Sequence, residues 1–392
     1  MESRKKPNME TRPHRLMFVA GENSGDLHGS RLIAELRHRE PEIECFGFGG
    51  DRMAAQGMRL DENLAQKLPI MGATQVIRNY GKIRNLLQRA YAMLATERPD
   101  AVVLIDYPGF NLRVATEAKR LGIPVIYFIS PQIWAWHHSR IEIIKKTVAL
   151  MLVILPFEES LYRDAGVPSR YVGHPLLDDS EEAPTKTEAR VALGISQEAR
   201  VIGLIPGSRE GEIIRHLPLM LQSATLLLKR FPDAHFLVPT ASTISPELIN
   251  KYIGRYPGLP ITITSERPKT ARAAMDFAIC KSGTSTLELA LADVPMVIIY
   301  YVSSVTYWFA RTVVRIPWVG LVNIIANDTV APELLQDAAQ PEPLSKEVIR
   351  IMESPRRLEQ MHDGYAQIRA KLGKPGASRR AAEAVLELLS AQ

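Results

Sequence analysis

Residues 16–30, LMFVAGENSGDLHGS, indicate the class of fold. The first five residues form an apolar run that predicts a buried strand, and a loop of Gly, Ser and Asp follows. Apolar residues then recur at helical spacing (Leu27, Leu32, Ile33 and Leu36). A strand, a loop and a helix in this order open an α/β domain. The loop has neither the G-x-G-x-x-G fingerprint nor the lysine of a P-loop, so it raises the question of what it binds.

Length and composition narrow the class of protein. A chain of 392 residues predicts two domains, and 46% hydrophobic with 23% charged residues is ordinary for a folded soluble protein. The two cysteines, Cys45 and Cys280, lie in strand-like runs far apart, which favours a reducing compartment without disulfides or a zinc site. The first residues are polar and basic, and no apolar run is long enough to cross a bilayer. We therefore expect a cytosolic protein.

Strand and helix patterns alternate in two rounds. The predicted strands are 15–20, 42–46, 101–105, 124–129 and 149–155 in the first round, and 201–205, 234–239, 261–264, 275–280 and 296–300 in the second. A polar, acidic, proline-containing stretch at 173–187 is typical of a linker. The fold class predicted is α/β, with two Rossmann-like doubly wound domains facing a cleft. The expected segments are a disordered tail (1–14), two domains (15–178 and 179–355) and C-terminal helices (356–392).

The polar clusters of the sequence follow predicted strands, where ligands bind in such sheets. In the second domain, Gly207 and Ser208 would let backbone N–H groups approach a phosphate, and Arg209 could clamp its oxygens; a plain helix cap with an exposed arginine is about equally compatible. Ser282, Gly283 and Thr284 form a second turn of this kind, and Glu288 lies where it could bind a ribose diol. Two such turns favour a nucleotide diphosphate.

The first domain offers different chemistry. Asp106 ends an apolar strand before a Pro-Gly turn, which suits a general base, although a helix-capping aspartate is the commoner structure. The loop SPQIWAWHHSR (130–140) could line a sugar or lipid pocket, with His137 or His138 carrying protons. His174 could belong to a hinge or to a site. The second domain would thus bind a nucleotide-activated donor and the first a hydroxylic acceptor, a combination that indicates glycosyl transfer. No metal or cofactor is expected, because Arg209 and a helix dipole can neutralise the leaving diphosphate.

Two segments combine basic and aromatic or apolar residues. They are RNYGKIRNLLQR (78–89) and YYVSSVTYWFARTVVRIPW (300–318). Such segments suit an anionic membrane surface, and each alone also fits an ordinary helix with solvated arginines. No nucleic-acid-binding pattern is present, so nucleic acid is a poor alternative.

An ordered set of motifs resembles one family. The motifs are GENSGDLHGSRL, GFGGDRM, IMGATQVI, DYPGFNLRVA, SPQIWAWHHSR, LPFEESLYRDAGV, YVGHPLLD, PGSREGEI, KSGTSTLELAL, GLVNIIA and PELLQ. From about residue 15 onward the chain resembles the lipid-A-disaccharide synthases, glycosyltransferases of the GT-B fold. The resemblance implies an inverting condensation of UDP-2,3-diacylglucosamine with 2,3-diacylglucosamine 1-phosphate (lipid X). It also implies work at the cytosolic face of the inner membrane of Gram-negative bacteria. The C-terminal helices are expected to pack back on the first domain, either of the same chain or of a partner subunit in a segment-exchanged dimer, and the resemblance leaves both arrangements open.

The resemblance also assigns roles by motif. Asp106 would be the catalytic base. The UDP-sugar would be bound by Gly207, Ser208, Arg209, Ser282, Gly283, Thr284, Glu288 and Asn323. The acceptor would be bound by Glu22, Ser24, Asp26, His28 and Trp134. The chain departs from the family pattern at Asn23, where Ala is expected, at Val322, where Pro is expected, and within 326–336, which leaves acyl-chain preference open.

Rival functions remain at this stage. One is another GT-B enzyme acting on a UDP-N-acetylglucosamine-type substrate, or an epimerase, which product analysis would distinguish. Another is a non-catalytic glycolipid or sugar-nucleotide binding protein, against which the presence of Asp106 and Arg209 argues.

Overall fold

A computed structural model describes residues 12–64, 80–135, 139–178, 183–241, 244–265, 268–302 and 316–391. The chain divides into two compact units, the first comprising residues 1–179 with 374–392 and the second residues 180–373. Each unit is built on a parallel sheet, because strands that alternate with helices along the chain are joined by crossover connections.

The strands of the first unit are β1 (Arg15–Ala20), β2 (Glu44–Gly49), β3 (Arg59–Asn63), β4 (Ala101–Ile105), β5 (Val125–Phe128), β6 (Leu150–Val153) and β7 (Ser169–Tyr171). Those of the second are β8 (Arg200–Ile205), β9 (Ala234–Pro239), β10 (Ile261–Thr264), β11 (Phe277–Lys281), β12 (Met296–Tyr300) and β13 (Glu333–Leu335). Their spatial orders are β3-β2-β1-β4-β5-β6-β7 and β10-β9-β8-β11-β12-β13. Both are Rossmann orders, which reverse between β1 and β4 and between β8 and β11. The two Rossmann-like doubly wound units predicted from the sequence are confirmed.

The helices of the described residues are numbered in chain order across both units. They are α1 (Asn23–Arg39), α2 (Asp51–Ala55), α3 (Tyr80–Glu97), α4 (Pro108–Arg120), α5 (Arg140–Thr147), α6 (Glu158–Asp164), α7 (Lys186–Leu193), α8 (Glu210–Arg230), α9 (Pro246–Ile253), α10 (Pro268–Ala274), α11 (Thr284–Leu291), α12 (Leu321–Ala326), α13 (Pro341–Met352), α14 (Pro355–Leu372) and α15 (Ala377–Ser390). None of them combines the length and apolarity that crossing a membrane requires.

The first sheet is covered on both faces. Leu32 and Ile33 of α1 and Val385 of α15 pack with alternate residues of β1 and β4 on one face. Leu94 of α3 and Val114 of α4 pack with the intervening strand residues on the other. Burial on both faces explains why β1 and β4 are continuous apolar runs.

The C-terminal helices divide between the units at residue 373, rather than forming one segment from 356. α14 belongs to the second unit, where Tyr365 is buried and Arg369 donates to the carbonyl of Ala290 at 3.0 Å. Gly373 follows α14 with φ of +75°, a backbone conformation that favours glycine. Only α15 returns to the first unit, beside α1 of the same chain.

Candidate functional site

The predicted acceptor residues lie at one edge of the first sheet. β4 pairs with both β1 and β5, so the loops that follow these three strands are neighbours. Glu22 follows β1, Asp106 follows β4, and the 130–135 segment follows β5. The strand order therefore brings together the loops that the sequence singled out, at the point where such sheets bind ligands.

Asp106 is held in place through its backbone. Asp106 and Tyr107 have φ of +46° and +48°, left-handed conformations that are unusual for residues other than glycine. The carbonyl of Asp106 accepts hydrogen bonds from Nδ2 of Asn111 at 2.7 Å and from the hydroxyl of Tyr127 at 2.6 Å. Its N–H donates to the carbonyl of Phe128 at 3.1 Å. These bonds oppose the cost of the strained conformation and fix a partly exposed carboxylate at the end of β4.

Tyr107 joins the loops after β1 and β4. Its ring lies against Gly21, where any added side chain carbon would overlap it. Burial, with a contribution from the negative charge of Glu22, raises the pKa of Tyr107 to about 12. Gly21 is therefore required by close packing, which explains one glycine of the opening loop without invoking a phosphate.

Asp26 differs from its predicted role at the acceptor. It is 6% exposed, and its two carboxylate oxygens accept the backbone N–H groups of Arg52 at 3.1 Å and Met53 at 3.0 Å. It thus caps the start of α2 and ties that helix to α1. Glu22 is partly exposed at the start of α1, and Asn23 and Ser24, which follow it, are exposed.

His28 and His174 lie on the same side of the first unit. Burial is the main cause that lowers the pKa of each imidazole to about 4, and for His174 the neighbouring His28 adds to it. Nδ1 of His174 accepts the N–H of Leu176 at 3.2 Å, whereas the enclosed Nδ1 of His28 makes no hydrogen bond within the described residues. Both side chains are therefore neutral at pH 7 and suited to hydrogen bonding rather than to binding an anion.

Glu158 organises the loop after β5. This carboxylate is 1% exposed and accepts hydrogen bonds from Ser130 Oγ at 2.7 Å, Trp134 Nε1 at 3.0 Å and the N–H of Leu155 at 3.2 Å. Burial raises its pKa to about 7, although these donors oppose the shift. The indole of Trp134 also packs edge-on to Phe157 with centroids 5.2 Å apart. Because Trp134 is 8% exposed, its polar atom is committed to the loop rather than to an acceptor.

In the second unit, the turn after β8 is organised by Glu212. Gly207 has φ of +119°, and an added Cβ there would overlap the Glu212 side chain. Oε2 of Glu212 accepts the N–H of Ser208 at 3.0 Å. Arg209 is exposed, and its Nη1 lies 3.8 Å from Oε1 of the same carboxylate. The turn thus presents Ser208 and Arg209 to solvent on a fixed backbone.

The second predicted turn lies beside the first, because β11 pairs with β8. Thr284 is exposed and Gly283 partly exposed at the start of α11, while Ser282 is 7% exposed. Glu288 is partly exposed on the second turn of α11, with Oε2 3.5 Å from Nη1 of Arg272. Backbone N–H groups at the start of α11 and the carboxylate one turn later are therefore both available at this edge.

Asn323 has a different position from the one predicted. It is fully buried, and its Nδ2 donates to the carbonyl of Ala331 at 2.7 Å and to Oε1 of Glu333 at 2.9 Å. Its Oδ1 accepts the N–H groups of Val330 and Ala331, both at 2.9 Å. All four of its hydrogen-bonding positions are satisfied internally, so none is left for a nucleotide.

A chain of contacts links Asn323 to the turn at 282–284. Glu333 also accepts the N–H groups of Val319 and Gly320, both at 2.9 Å. Ser282 Oγ donates in turn to the carbonyl of Val319 at 2.6 Å. Asn323 and Ser282 therefore position the loop around Val319 beside the turn. Val322, at the first departure from the family pattern in this region, is buried within α12.

Several predicted features lie outside the described residues. These are the tail at 1–11, His137 and His138, residues 78 and 79 of the first basic segment and 303–315 of the second. Within the ranges that are described, no group of three or more His, Cys, Asp or Glu side chains could hold a metal ion.

Sequence reasoning missed Asn111, Glu158 and Glu212, which orient the site without standing at a strand end. Asn111 and Glu212 each lie in a motif already singled out, four or five residues after the turn that they organise, and Glu158 lies in another such motif, three residues after Leu155, whose N–H it accepts. A polar residue at that offset on the first turns of a helix is the signal that could have identified them, because it can reach back to the loop before the helix.

Comparisons with known proteins agree with this architecture. The family model described as Lipid-A-disaccharide synthetase matches residues 16–388. A lipid-A-disaccharide synthase of Myxococcus xanthus (strain DK1622) is 43% identical over 97% of this chain and 98% of its own. One of Geobacter metallireducens (strain ATCC 53774 / DSM 7210 / GS-15) is 41% identical over 97% and 99%.

Solved structures show the same fold at low sequence identity. The UDP-GlcNAc 2-epimerase of Neisseria meningitidis, bound to UDP-GlcNAc, has a TM-score of 0.67 at 13% identity and covers 95% of this chain and 100% of its own. MurG of Acinetobacter baumannii has a TM-score of 0.56 at 15% identity, covering 96% and 99%. The GT-B fold class is thereby confirmed. From the full-length family match and relatives above 40% identity, the chain belongs to the lipid-A-disaccharide synthase family, hexosyltransferases of lipid A synthesis.

Proposed function

We propose that this chain condenses UDP-2,3-diacylglucosamine with 2,3-diacylglucosamine 1-phosphate, giving a β-1,6-linked disaccharide 1-phosphate and UDP. Family membership supports a UDP-sugar and a lipid as substrates. An α-linked donor and a β-linked product require inversion in a single displacement. The observation that carries the proposal is the backbone-pinned carboxylate of Asp106 at the switch point of the first sheet.

Asp106 acts as the general base in this proposal. Its carboxylate takes the proton of the acceptor 6-hydroxyl as that oxygen forms a bond to the anomeric carbon of the donor. The bond from that carbon to the diphosphate breaks at the same time, and the electron pair leaves with UDP. Asn111 and Tyr127 hold Asp106 for this task through its carbonyl, so a small misplacement of the carboxylate is prevented.

The remaining first-unit residues serve the acceptor. Glu22 and Ser24 hydrogen-bond its hydroxyls, while His28 offers a neutral imidazole. Asp26 and Trp134 act indirectly, because their polar atoms fix α2 and the loop after β5. The opening loop therefore packs closely against Tyr107 and presents a carboxylate, which explains why it lacks phosphate-loop chemistry.

The second unit binds the donor. Arg209 and the N–H groups of Gly207, Gly283 and Thr284 stabilise the negative charge that develops on the leaving diphosphate. Glu288 binds the ribose diol, for which it must exchange its contact with Arg272. Ser282 and Asn323 hold the loop around Val319 in position beside the turn at 282–284.

A product assay tests the proposed reaction. Purified protein is mixed with both substrates in detergent micelles, and UDP release and disaccharide mass are followed for wild type, Asp106→Asn and a control, Asp363→Asn, which alters an exposed aspartate of α14. We expect disaccharide from wild type and control, and a loss of about 100-fold or more for Asp106→Asn. Equal rates for all three would remove Asp106 as the base. No disaccharide from wild type would refute the reaction itself.

We further propose that the protein works at the anionic inner face of the inner membrane. Lys82 and Arg84 are exposed on α3, whereas Arg89 is paired with Asp61 at 2.7 Å and with Glu62 at 2.5 Å. Sedimentation with phosphatidylglycerol vesicles tests this, with phosphatidylcholine vesicles for comparison. We expect the anionic vesicles to bind more protein, and Lys82→Gln/Arg84→Gln to bind less. Equal binding to both vesicles would contradict the proposal.

A further inference from the structure

Lys281 lies between the two turns that the donor site uses. It is the last residue of β11, and its Nζ donates a hydrogen bond to Oε1 of Glu212 at 2.8 Å. A Cβ placed at Gly283 would lie 3.7 Å from the same nitrogen. The ammonium group therefore faces the turn after β8 on one side and the turn before α11 on the other.

Glu212 fixes the position of this lysine. One oxygen of its carboxylate accepts from Ser208 N–H and the other from Lys281, with Arg209 also nearby. Burial tends to raise the pKa of Glu212, but the charge and hydrogen bond of Lys281, with Ser208 and Arg209, lower it overall. The carboxylate is thus ionised, and it holds one end of a lysine side chain that is 16% exposed.

The charges at this point leave an excess of one positive. Lys281 and Arg209 contribute two cations and Glu212 one anion, all within one small group. An ammonium has three donors, and Glu212 accepts one of them. The centroid of the Tyr300 ring lies 5.8 Å from Nζ, so the ring can stabilise the ammonium by a cation–π interaction without accepting a conventional hydrogen bond. Within the part of the chain that the structure describes, donors of the ammonium therefore remain for an anion that lies between the two turns.

We infer that Lys281 is a further binding residue for the diphosphate of the nucleotide-sugar donor, positioned by Glu212. This inference rests on the proposed donor site of the second unit. The largely buried ammonium of Lys281 would attract the diphosphate as a point charge, whereas the exposed guanidinium of Arg209 would bind its oxygens bidentately. The Ser-Gly-Thr turn alone would bind phosphate through neutral N–H groups, and the preceding lysine adds the charge that favours a diphosphate over a monophosphate.

The test compares ligands that differ only in phosphate number. Dissociation constants for UDP and UMP are measured by calorimetry, and uridine binding by ligand-observed NMR, for wild type, Lys281→Met and Lys281→Arg. Lys186→Met serves as the matched control, because Lys186 also pairs with a carboxylate of the second unit, that of Asp276. We expect Lys281→Met to weaken UDP about 10- to 100-fold, UMP less, and uridine not at all. Lys281→Arg should recover part of the loss.

The outcomes separate this inference from the function on which it rests. If wild type binds UDP and Lys281→Met binds it equally well, the role of Lys281 is refuted and the donor site stands. If Lys281→Met weakens uridine as much as UDP, the lysine is structural only and the inference fails. If wild type does not bind UDP, both the donor site and the inference fail. Glu212→Gln tests the positioning step, because Lys281→Met should then cost less in that background than in wild type.

Discussion

Removal of the Asp178 side chain should loosen the last helix of the first unit. Asp178 accepts three consecutive backbone N–H groups at the start of α15, from Gly376 at 2.7 Å and from Ala377 and Ser378 at 2.8 Å each. These are the N–H groups that a helix start cannot pair internally. Loss of a cap costs about 1–2 kcal/mol, and loss of a negative charge at a helix N-terminus about 0.3–1 kcal/mol more. Asp178→Ala should therefore destabilise the docking of α15 by about 1.3–3 kcal/mol.

Hydrogen exchange measures this effect where it occurs. A loss of that size should speed amide exchange in residues 377–390 by about 10- to 150-fold, while α14 in the second unit is unaffected. Asp178→Asn should show a smaller effect, because its amide keeps one accepting oxygen. Asp363→Ala is the control. Unchanged exchange in α15 of Asp178→Ala would refute the idea that this carboxylate secures the helix.

The same carboxylate predicts a pH dependence. Burial by itself raises the pKa of Asp178, but the three N–H donors and Ser378 outweigh it, so the pKa lies below its ordinary value. A carboxyl of this kind stabilises the fold fully above its unfolded pKa and loses that contribution as pH falls through the folded pKa. The difference in urea midpoint between wild type and Asp178→Ala should therefore shrink below about pH 4.

Three further predictions concern groups around the site. Gly21→Ala should lower kcat at least tenfold, because the added methyl group displaces the Tyr107 ring. Combining it with Tyr107→Ala should restore part of the lost activity. Full activity of Gly21→Ala would contradict the packing argument. Burial raises the pKa of Glu158 to about 7, above the value of about 4.3 in an unfolded chain, so the free energy of unfolding should fall as pH rises from about 4 to about 7, and urea unfolding of Glu158→Gln should lack that slope. Equal slopes in both proteins would show that another group titrates. Asn323→Ala should cost about 2–4 kcal/mol in urea unfolding, since four hydrogen bonds are lost, and a cost below about 1 kcal/mol would show that the loop repacks without it.

The central strands could be predicted because they are buried on both faces. The apolar runs at 101–105 and 234–239 coincide with β4 and β9. The short strands β3, β7 and β13 could not, since they lie at sheet edges and carry polar residues in sequences such as RLDEN at 59–63. An edge strand pairs on one side only, so its composition carries little of the apolar signal.

The candidate site shows a similar division. The sequence identifies which residues follow strands, and the sheet order brings those loops together as expected for Asp106 and Glu22. The sequence does not show which polar side chains already form hydrogen bonds with backbone groups elsewhere in the chain. The partners of Asp26 lie at 52 and 53, and those of Asn323 at 330–333, and neither pairing follows from residue type or periodicity. Only the hydrogen bonds of the folded chain thus distinguish the residues that can contact a ligand from the residues that hold the site in shape.

The first unit is interrupted in sequence by the whole of the second. The chain leaves the first unit after residue 179 and returns to it at residue 374. Asp178, near the first of these points, accepts the N–H of Gly376, near the second, so the second unit is an insertion in the sequence of the first. On the ribosome, the second unit is therefore synthesised completely before the first can close. Until α15 emerges, Leu32, Ile33 and Leu36 of α1 lack the apolar residues that α15 adds to their cluster in the finished chain. A nascent chain paused before residue 377 should consequently leave this apolar surface of α1 accessible to chaperones.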